Sequence, residues 1–328
     1  MIALFKEKSP GNIAALFIFG LFIKLPIFLY PKKPLVTPQD GQLYDALATW
    51  VASLPTPFFG PILAFVLLYI LALSITNVVN EYRMTTRQTF LPGMAFMLIT
   101  SLLPEWNRLS APLVGTAFVF WAISRLFELY NAPAANGRIF NIGLLLGVAS
   151  FFFFPSLMLG LCIIVGLMVL RPFRLNEIFL FITGITTPYY FYAIYLFLTD
   201  QFHWQQLMSP VRVGIPMIKN NIWLAGSALF IGIPFLLGGY YVQTHLRKML
   251  IQARKNWSIV LIYLLLALVV PFVNTGNSFV NWVLATVPFA IFHASAYLYA
   301  TRKWVPALLF WAVLAFVLAQ QYATNAWH

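Results

Sequence analysis

Long apolar runs, separated by short polar or charged segments, fill almost the whole of this 328-residue chain. A helix that crosses the hydrocarbon core of a bilayer needs roughly 20 mostly apolar residues. Pro155 alone separates the fifth run from the sixth, so this pair fits a re-entrant hairpin as well as two spans, and the count lies between ten and twelve. The pattern predicts an all-α polytopic membrane protein with about eleven transmembrane helices, near residues 12–30, 58–79, 89–103, 110–130, 139–154, 156–170, 176–198, 221–241, 258–273, 279–300 and 304–322.

The segments between these runs are too short for a separate soluble domain. The longest lie at 31–57 and 199–220 on the expected outer side, and at 242–257 on the expected inner side. The inner segment carries basic residues beside an apolar face, which predicts a short interfacial helix. Residues 1–328 are therefore expected to form a single polytopic transmembrane domain.

The first outer segment contains a second pattern. Apolar residues recur at helical spacing from Leu43 to Leu54, which predicts an amphipathic helix on the outer membrane surface. Ahead of it, Thr37, Pro38 and Asp40 have the spacing of an N-cap, a first-turn proline and the third residue of a capping box. Asp40 is accordingly either a capping group or a carboxylate that caps the helix and also faces a ligand.

Lysine and arginine are distributed unevenly between the two expected sides. With eleven spans and a cytoplasmic N-terminus, 13 of the 20 basic residues lie in inside segments and 5 in outside segments. This asymmetry follows the positive-inside rule and predicts the N-terminus inside and the C-terminus outside. The net charge of +12 is explained by topology, so a nucleic acid is not expected as a partner.

Composition excludes several classes of function. Only 9% of the residues are charged, against about a quarter in an average soluble domain, which excludes an ordinary cytosolic enzyme. With Cys162 as its single cysteine and four histidines, the chain offers neither a disulfide framework nor a multi-histidine metal site in the membrane. HExxH, GxSxG, Walker and EF-hand patterns are absent from the sequence.

The eight acidic residues carry the sharpest functional signal. Four of them, Asp40, Asp45, Glu105 and Asp200, fall on the expected outer side, where basic residues are few. A carboxylate at that face can act as a general base on a hydroxyl group or coordinate a divalent metal ion. Asp40 and then Asp45 are the predicted catalytic residues, whereas the identity of any metal or other cofactor stays open.

A second set of side chains from the outer segments offers cations, hydrogen-bond donors and aromatic faces. Such groups suit a phosphate or a sugar ring, although each taken singly also fits a solvated loop residue. Lys24 lies about two thirds of the way across the first span and either extends towards the outer surface or meets a lipid phosphate. The predicted donor-phosphate and substrate-binding residues are Lys24, Tyr44, Glu105, Arg108, His203, Arg212 and Lys219.

Two stretches carry a resemblance. Arg138-Ile-Phe-Asn-Ile-Gly through Phe154-Pro155-Ser156, and Arg171-Pro-Phe-Arg through Thr187-Pro188-Tyr189-Tyr190, resemble an uncharacterised Bacteroidota family of multi-spanning inner-membrane proteins. The layout is also loosely similar to the GT-C integral-membrane glycosyltransferases. That similarity implies many spans, a surface helix and acidic residues in the first outer loop, and sugars taken from polyprenyl phosphate.

The leading hypothesis is therefore a GT-C-like glycosyltransferase of the bacterial inner membrane. It would use a polyprenyl-phosphate-linked sugar at the periplasmic face, with membrane lipids around it. Two alternatives remain, namely a transporter or flippase of a lipid-linked solute and a non-catalytic membrane subunit of an envelope assembly with a protein partner. A transporter requires a polar pathway near the midplane, and the spans contain few charges with which to build one.

Overall fold

The computed structural model describes residues 2–37, 40–202, 207, 213–214, 222–273, 278–302 and 304–323, and within them the chain is all-helical. An isolated parallel bridge between Leu35 and Ser110 joins two loops. The helices, which we number in chain order, are α1 Ile2–Phe5, α2 Gly11–Ile23, α3 Leu25–Leu29, α4 Gln42–Ser53, α5 Phe59–Glu81, α6 Leu91–Thr100, α7 Ala111–Phe127, α8 Asn136–Phe152, α9 Gly160–Leu170, α10 Leu175–Leu198, α11 Ile222–His245, α12 Ile251–Val273, α13 Val283–Tyr299 and α14 Trp304–Ala323.

The number of helices that are long and apolar enough to cross a membrane is six among the described residues, not the eleven predicted. These six are α5 and α10 to α14, and they support a multi-pass membrane protein. The other predicted runs are also helical, but their helices are shorter. At 1.5 Å per residue, a helix of 10–17 residues falls short of the hydrocarbon thickness. The shorter helices are Gly11–Ile23, Leu91–Thr100, Ala111–Phe127, Asn136–Phe152 and Phe154–Leu170.

Helix α13 is central in the bundle, where it packs against α6, α7, α11 and α12. Helix α10 lies at the periphery and packs chiefly along α8. The α8–α10 contact depends on glycine, because a Cβ atom on Gly184 would lie 2.3 Å from the Phe140 carbonyl oxygen. A Cβ atom on Gly143 would likewise lie 2.2 Å from the Phe181 carbonyl oxygen. The two backbones therefore touch, as small residues allow in membrane helix pairs.

Hydrogen bonds between segments that are distant in sequence gather at two ends of the bundle. We call one of them the first-loop end, defined by residues 30–41 and 104–110. At the opposite end, the Trp257 indole donates to the Met84 carbonyl oxygen over 2.9 Å, and the Arg171 guanidinium donates to the Ala132 carbonyl oxygen over 2.7 Å. These contacts fix the helix ends, so the loops of each end form a defined surface.

Two local predictions were wrong. The segment 242–257 does not form a separate interfacial helix, because α11 continues to His245 and α12 already begins at Ile251. Helix α4 is confirmed, but its N-cap is Gly41, and the Asp40 carboxylate turns back to Thr37 instead of capping the helix. The buried residues of α4 are Tyr44, Ala48 and Val51, whereas Leu43 and Trp50 of the predicted apolar face are exposed.

Candidate functional site

The first loop is bound to the segment that follows α6. The Leu35 backbone N–H donates to the Leu109 carbonyl oxygen over 2.9 Å, beside the bridge to Ser110. The Arg108 guanidinium donates to the Lys33 carbonyl oxygen over 2.8 Å. Two segments that lie more than 70 residues apart in sequence therefore form one surface at the first-loop end.

The Tyr44 side chain connects α4 to the surface of the first-loop end. Its side chain is fully buried, and its hydroxyl lies 2.8 Å from the Leu35 carbonyl oxygen and 2.9 Å from that of Leu109. A single O–H proton is shared between two acceptors here. Tyr44, which the sequence places among the substrate-binding residues, thus binds the two segments of the loop surface to each other.

Gly41 fixes where α4 starts. Its backbone N–H donates to the Phe152 carbonyl oxygen at the end of α8 over 3.0 Å. A Cβ atom at this position would lie 2.0 Å from the Phe151 carbonyl oxygen, which is a distance that no side chain tolerates. Glycine is therefore required for the loop to lie against α8, and this contact positions the residue before it, Asp40.

Asp40 and Thr37 form a closed turn. The Asp40 carboxylate accepts hydrogen bonds of 2.7 Å from both the Thr37 backbone N–H and the Thr37 hydroxyl, while the Asp40 N–H donates to the Thr37 carbonyl oxygen. Asp40 is buried, with 8% of its surface exposed. Burial raises the pKa of the Asp40 carboxyl from 3.8 to about 6, against the opposing effect of the two Thr37 hydrogen bonds, and the charge of Asp45 adds to the rise. Such a pKa suits a general base near neutral pH.

Asp45 stands one helical turn into α4 and borders an open cleft of about 370 Å³. Val36, Thr37 and Thr49 form the rest of its lining. Partial burial raises the pKa of the Asp45 carboxyl. Thr37 therefore links the two acids, because it lines the cleft beside Asp45 and its hydroxyl donates to the Asp40 carboxylate.

Glu105 and Trp106 attach the segment after α6 to the segment before α13. The Glu105 carboxylate accepts hydrogen bonds of 2.7 Å from the Ser278 hydroxyl and from the Phe279 backbone N–H. The Trp106 indole donates to the Phe279 carbonyl oxygen over 2.9 Å. The Glu105 side chain thus holds a loop in place, and its charge also acts on Arg108.

Lys24 lies below the loop surface in a cage of neutral oxygen atoms. Its side chain is fully buried, and its ammonium group donates to the Thr100 hydroxyl over 2.9 Å, to the Ser101 hydroxyl over 3.1 Å and to the Asn107 side-chain oxygen. Lys24 therefore reaches the surface only through Asn107. The sequence did not single out Asn107, and it singled out Thr37 only as a helix N-cap and not as a partner of Asp40 in a closed turn.

Four of the predicted residues lie close together. The charges of Asp40, Asp45 and Arg108 all act on the Tyr44 side chain. His203, Arg212 and Lys219 lie outside the described residues. Within the described part of the chain, no group of three or more His, Cys, Asp or Glu side chains has a geometry for holding a metal ion.

Tyr44→Phe tests the structural role of the tyrosine hydroxyl. The change removes the donor shared by the Leu35 and Leu109 carbonyl oxygens, and we expect the free energy of unfolding to fall by about 1–3 kcal/mol. Thermal melting of the purified protein in detergent measures the effect. Tyr190→Phe, at an exposed position of α10, is the control. An unchanged melting temperature for Tyr44→Phe would show that Tyr44 does not hold the loop surface together.

Comparison with known proteins gives one family. A model of a family of unknown function, DUF6427, matches residues 58–326. No curated protein and no solved structure matches the chain. The matched range begins after α4, so Asp40 and Asp45 lie before it, while Glu105 and Arg108 lie within it.

Proposed function

The chain belongs to DUF6427, a family of unknown function, and we propose that it is a glycosyltransferase of the bacterial inner membrane. It would take a sugar from polyprenyl phosphate at the periplasmic face and transfer it to an acceptor hydroxyl at the first-loop end. The observation that carries this proposal is the Asp40–Thr37 turn, in which a buried carboxylate with a pKa of about 6 contacts the hydroxyl of Thr37, a residue that lines an open cleft.

The turn suggests a route for the proton. The acceptor hydroxyl binds in the cleft beside Asp45 and gives its proton to the Thr37 oxygen, while the Thr37 hydroxyl gives its own proton to Asp40 over 2.7 Å. The acceptor oxygen forms a bond to the anomeric carbon of the sugar. The bond between that carbon and the phosphate oxygen breaks, and its electron pair stays on the polyprenyl phosphate. Asp40 is thus the general base, and Asp45 orients the acceptor.

The proposed orientation places the first-loop end in the periplasm. It rests on the charge asymmetry of the sequence, in which the alternation of all eleven apolar runs puts 13 basic residues on the side of the N-terminus and 5 on the other side. The leaving phosphate needs cations, and Arg108 is a cation whose charge acts on Tyr44, as do the charges of Asp40 and Asp45. Because Lys24 is enclosed by Thr100, Ser101 and Asn107, it supports this region from below without touching the donor.

Two substitutions at Thr37 test the proton route. Thr37→Ser keeps the hydroxyl, and we expect it to retain transfer within about threefold. Thr37→Val keeps the shape but removes the hydroxyl, and we expect a loss of about 10²-fold or more, the range of general-base catalysis. The measurement is the transfer of labelled sugar from a polyprenyl-phosphate-linked hexose to envelope material in membrane vesicles that contain the full chain.

A further control is Asp200→Asn, which removes an exposed carboxylate from another loop. We expect it to leave sugar transfer unchanged. Equal activities of Thr37→Val and Thr37→Ser would overturn the proton route. The absence of labelled product in vesicles with the unaltered chain would overturn the transferase itself and favour a transporter or a non-catalytic subunit.

A further inference from the structure

A second, narrower cleft opens at the first-loop end, and groups that donate hydrogen bonds line it. Its volume of about 10 Å³ admits one water-sized group, such as a single oxygen atom of a larger ligand. Its polar residues include Lys32, Asn107 and Arg108, and its apolar residues include Ile27, Pro61 and Leu109. This cleft is separate from the Asp45 cleft, with which it shares no lining residue.

Asn107 contributes a buried donor with a fixed orientation. Its side chain is fully buried, and its oxygen atom accepts a hydrogen bond from the Lys24 ammonium group. Because the Lys24 Nζ donates to the amide oxygen, the amide NH₂ faces away from Lys24. That nitrogen has no hydrogen-bond partner among the described residues, although burial of such a donor without a partner is costly.

Arg108 contributes a second donor without a partner. One terminal nitrogen of its guanidinium donates to the Lys33 carbonyl oxygen, which fixes the side chain in place. The Nε atom is buried and has no hydrogen-bond partner in the described part of the chain. Two adjacent residues among those that line one cleft therefore each hold a buried, unsatisfied N–H group, and an acceptor with several oxygen atoms could satisfy both.

The charges around the cleft favour an anion. Burial lowers the pKa of the Lys32 ammonium group, and the nearby charge of Arg108 lowers it further. Lys24 adds a third cation below Asn107, with three neutral oxygens as its hydrogen-bond partners. The acid that acts on Arg108 is Glu105, and its carboxylate is already bound to Ser278 and Phe279.

We propose that this cleft binds a phosphate group, one oxygen of which accepts hydrogen bonds from Asn107 and Arg108 while Lys32 pairs with the charge at the mouth. Lys24 is a positioning residue, because it fixes the amide of Asn107 without reaching the ligand. Neighbouring side chains on α3 and α5 are apolar and exposed, with Leu29 56% and Ile62 47% exposed, so a lipid tail has a surface beside the cleft. The phosphate is either a lipid headgroup or free phosphate.

The identification of this phosphate as that of the sugar donor rests on the proposed function. The binding of a phosphate group at the cleft does not depend on it. The test therefore measures binding alone. The purified full chain in neutral detergent is titrated with dioctanoyl phosphatidic acid and, separately, with inorganic phosphate at one fixed salt concentration. The variants are Lys32→Gln, Asn107→Asp and, as matched control, Lys33→Gln, which removes the same charge from an exposed neighbour that does not line the cleft.

We expect Lys32→Gln to weaken binding at least about tenfold and Lys33→Gln to leave it within about twofold. Asn107→Asp keeps an oxygen for Lys24 and replaces the donor by a carboxylate, so it should fold normally and lose binding. Tighter binding of phosphatidic acid than of inorganic phosphate identifies a lipid headgroup as the ligand, and equal binding identifies free phosphate.

Two results would overturn the proposal. One is the absence of saturable binding of either probe, which would mean that the cleft holds a water molecule. The other is an equal effect of Lys32→Gln and Lys33→Gln, which would mean that only the general surface charge matters. Neither result would contradict the proposed sugar transfer, and a loss of sugar transfer alone would not contradict phosphate binding at this cleft.

Discussion

Asp40→Asn is expected to abolish at least about 99% of sugar transfer and, above pH 6, to make the protein more stable. An asparagine can form the same turn, since its side-chain oxygen accepts from the Thr37 N–H and its amide donates to the Thr37 hydroxyl oxygen. What it lacks is a group that takes up a proton. The activity of the unaltered chain should therefore rise with pH through about 6, whereas the residual activity of the variant should not.

The stability gain follows from the sign of the pKa shift. Because the folded state raises the pKa of Asp40 from 3.8 to about 6, its favourable contribution is complete below pH 3.8 and is lost as the pH rises through 6. Removing the charge recovers up to about 3 kcal/mol at pH 8. Melting temperatures at pH 8 and pH 5 measure the difference, which should be largest at pH 8.

The two readouts separate the possible outcomes for Asp40. Full transfer by Asp40→Asn would exclude the carboxylate as the base. A lower melting temperature at pH 8 would show that the charged carboxylate stabilises the loop. Asp200→Asn serves as the control for both measurements, since it removes a carboxylate from an exposed position.

Gly184→Val is expected to destabilise the protein by about 3 kcal/mol or more. The new Cβ atom would lie 2.3 Å from the Phe140 carbonyl oxygen, and a backbone atom cannot rotate away as a side chain can. Helix α10 packs chiefly against α8, so the clash separates α10 from the bundle. The melting temperature in detergent measures the loss.

The control for this prediction is Gly239→Val on α11. A Cβ atom there meets no atom within 4 Å, so the same change of residue type occurs without a clash. We expect its effect to stay within about 0.5 kcal/mol. Equal melting temperatures for the two variants would show that the α8–α10 contact is not close-packed in the membrane.

The positions of the helices follow from the apolar runs, because burial in lipid selects long apolar helices whatever their neighbours are. The number of spans does not follow in the same way. Helices such as α6, with ten residues, are buried in protein on all sides, and an apolar run does not distinguish that setting from lipid. The prediction of an interfacial helix at 242–257 was wrong for a related reason. Helix α11 continues into this segment and α12 begins within it, so its basic residues do not form a helix of their own.

The candidate site could be predicted only in part. The acidic residues of the first loop stand out in a sequence with eight acids, and the structure brings Asp40 and Asp45 close together. The spacing of Thr37 and Asp40 predicted a capping box, and this prediction was wrong because the contact of Gly41 with α8 decides where α4 begins. Asn107 carries no signal at all in the sequence, since its role depends on a lysine 83 residues earlier.

That separation also has a consequence for how the protein is made. Thr100, Ser101 and Asn107 follow Lys24 by 76, 77 and 83 residues, and at about 5–20 residues per second the ribosome needs roughly 4–17 s to reach them. During that time α2 meets the bilayer with a cation that only water or lipid headgroups can solvate. The first helix is therefore anchored late, and a nascent chain that stops before residue 100 has none of the three side-chain partners of Lys24.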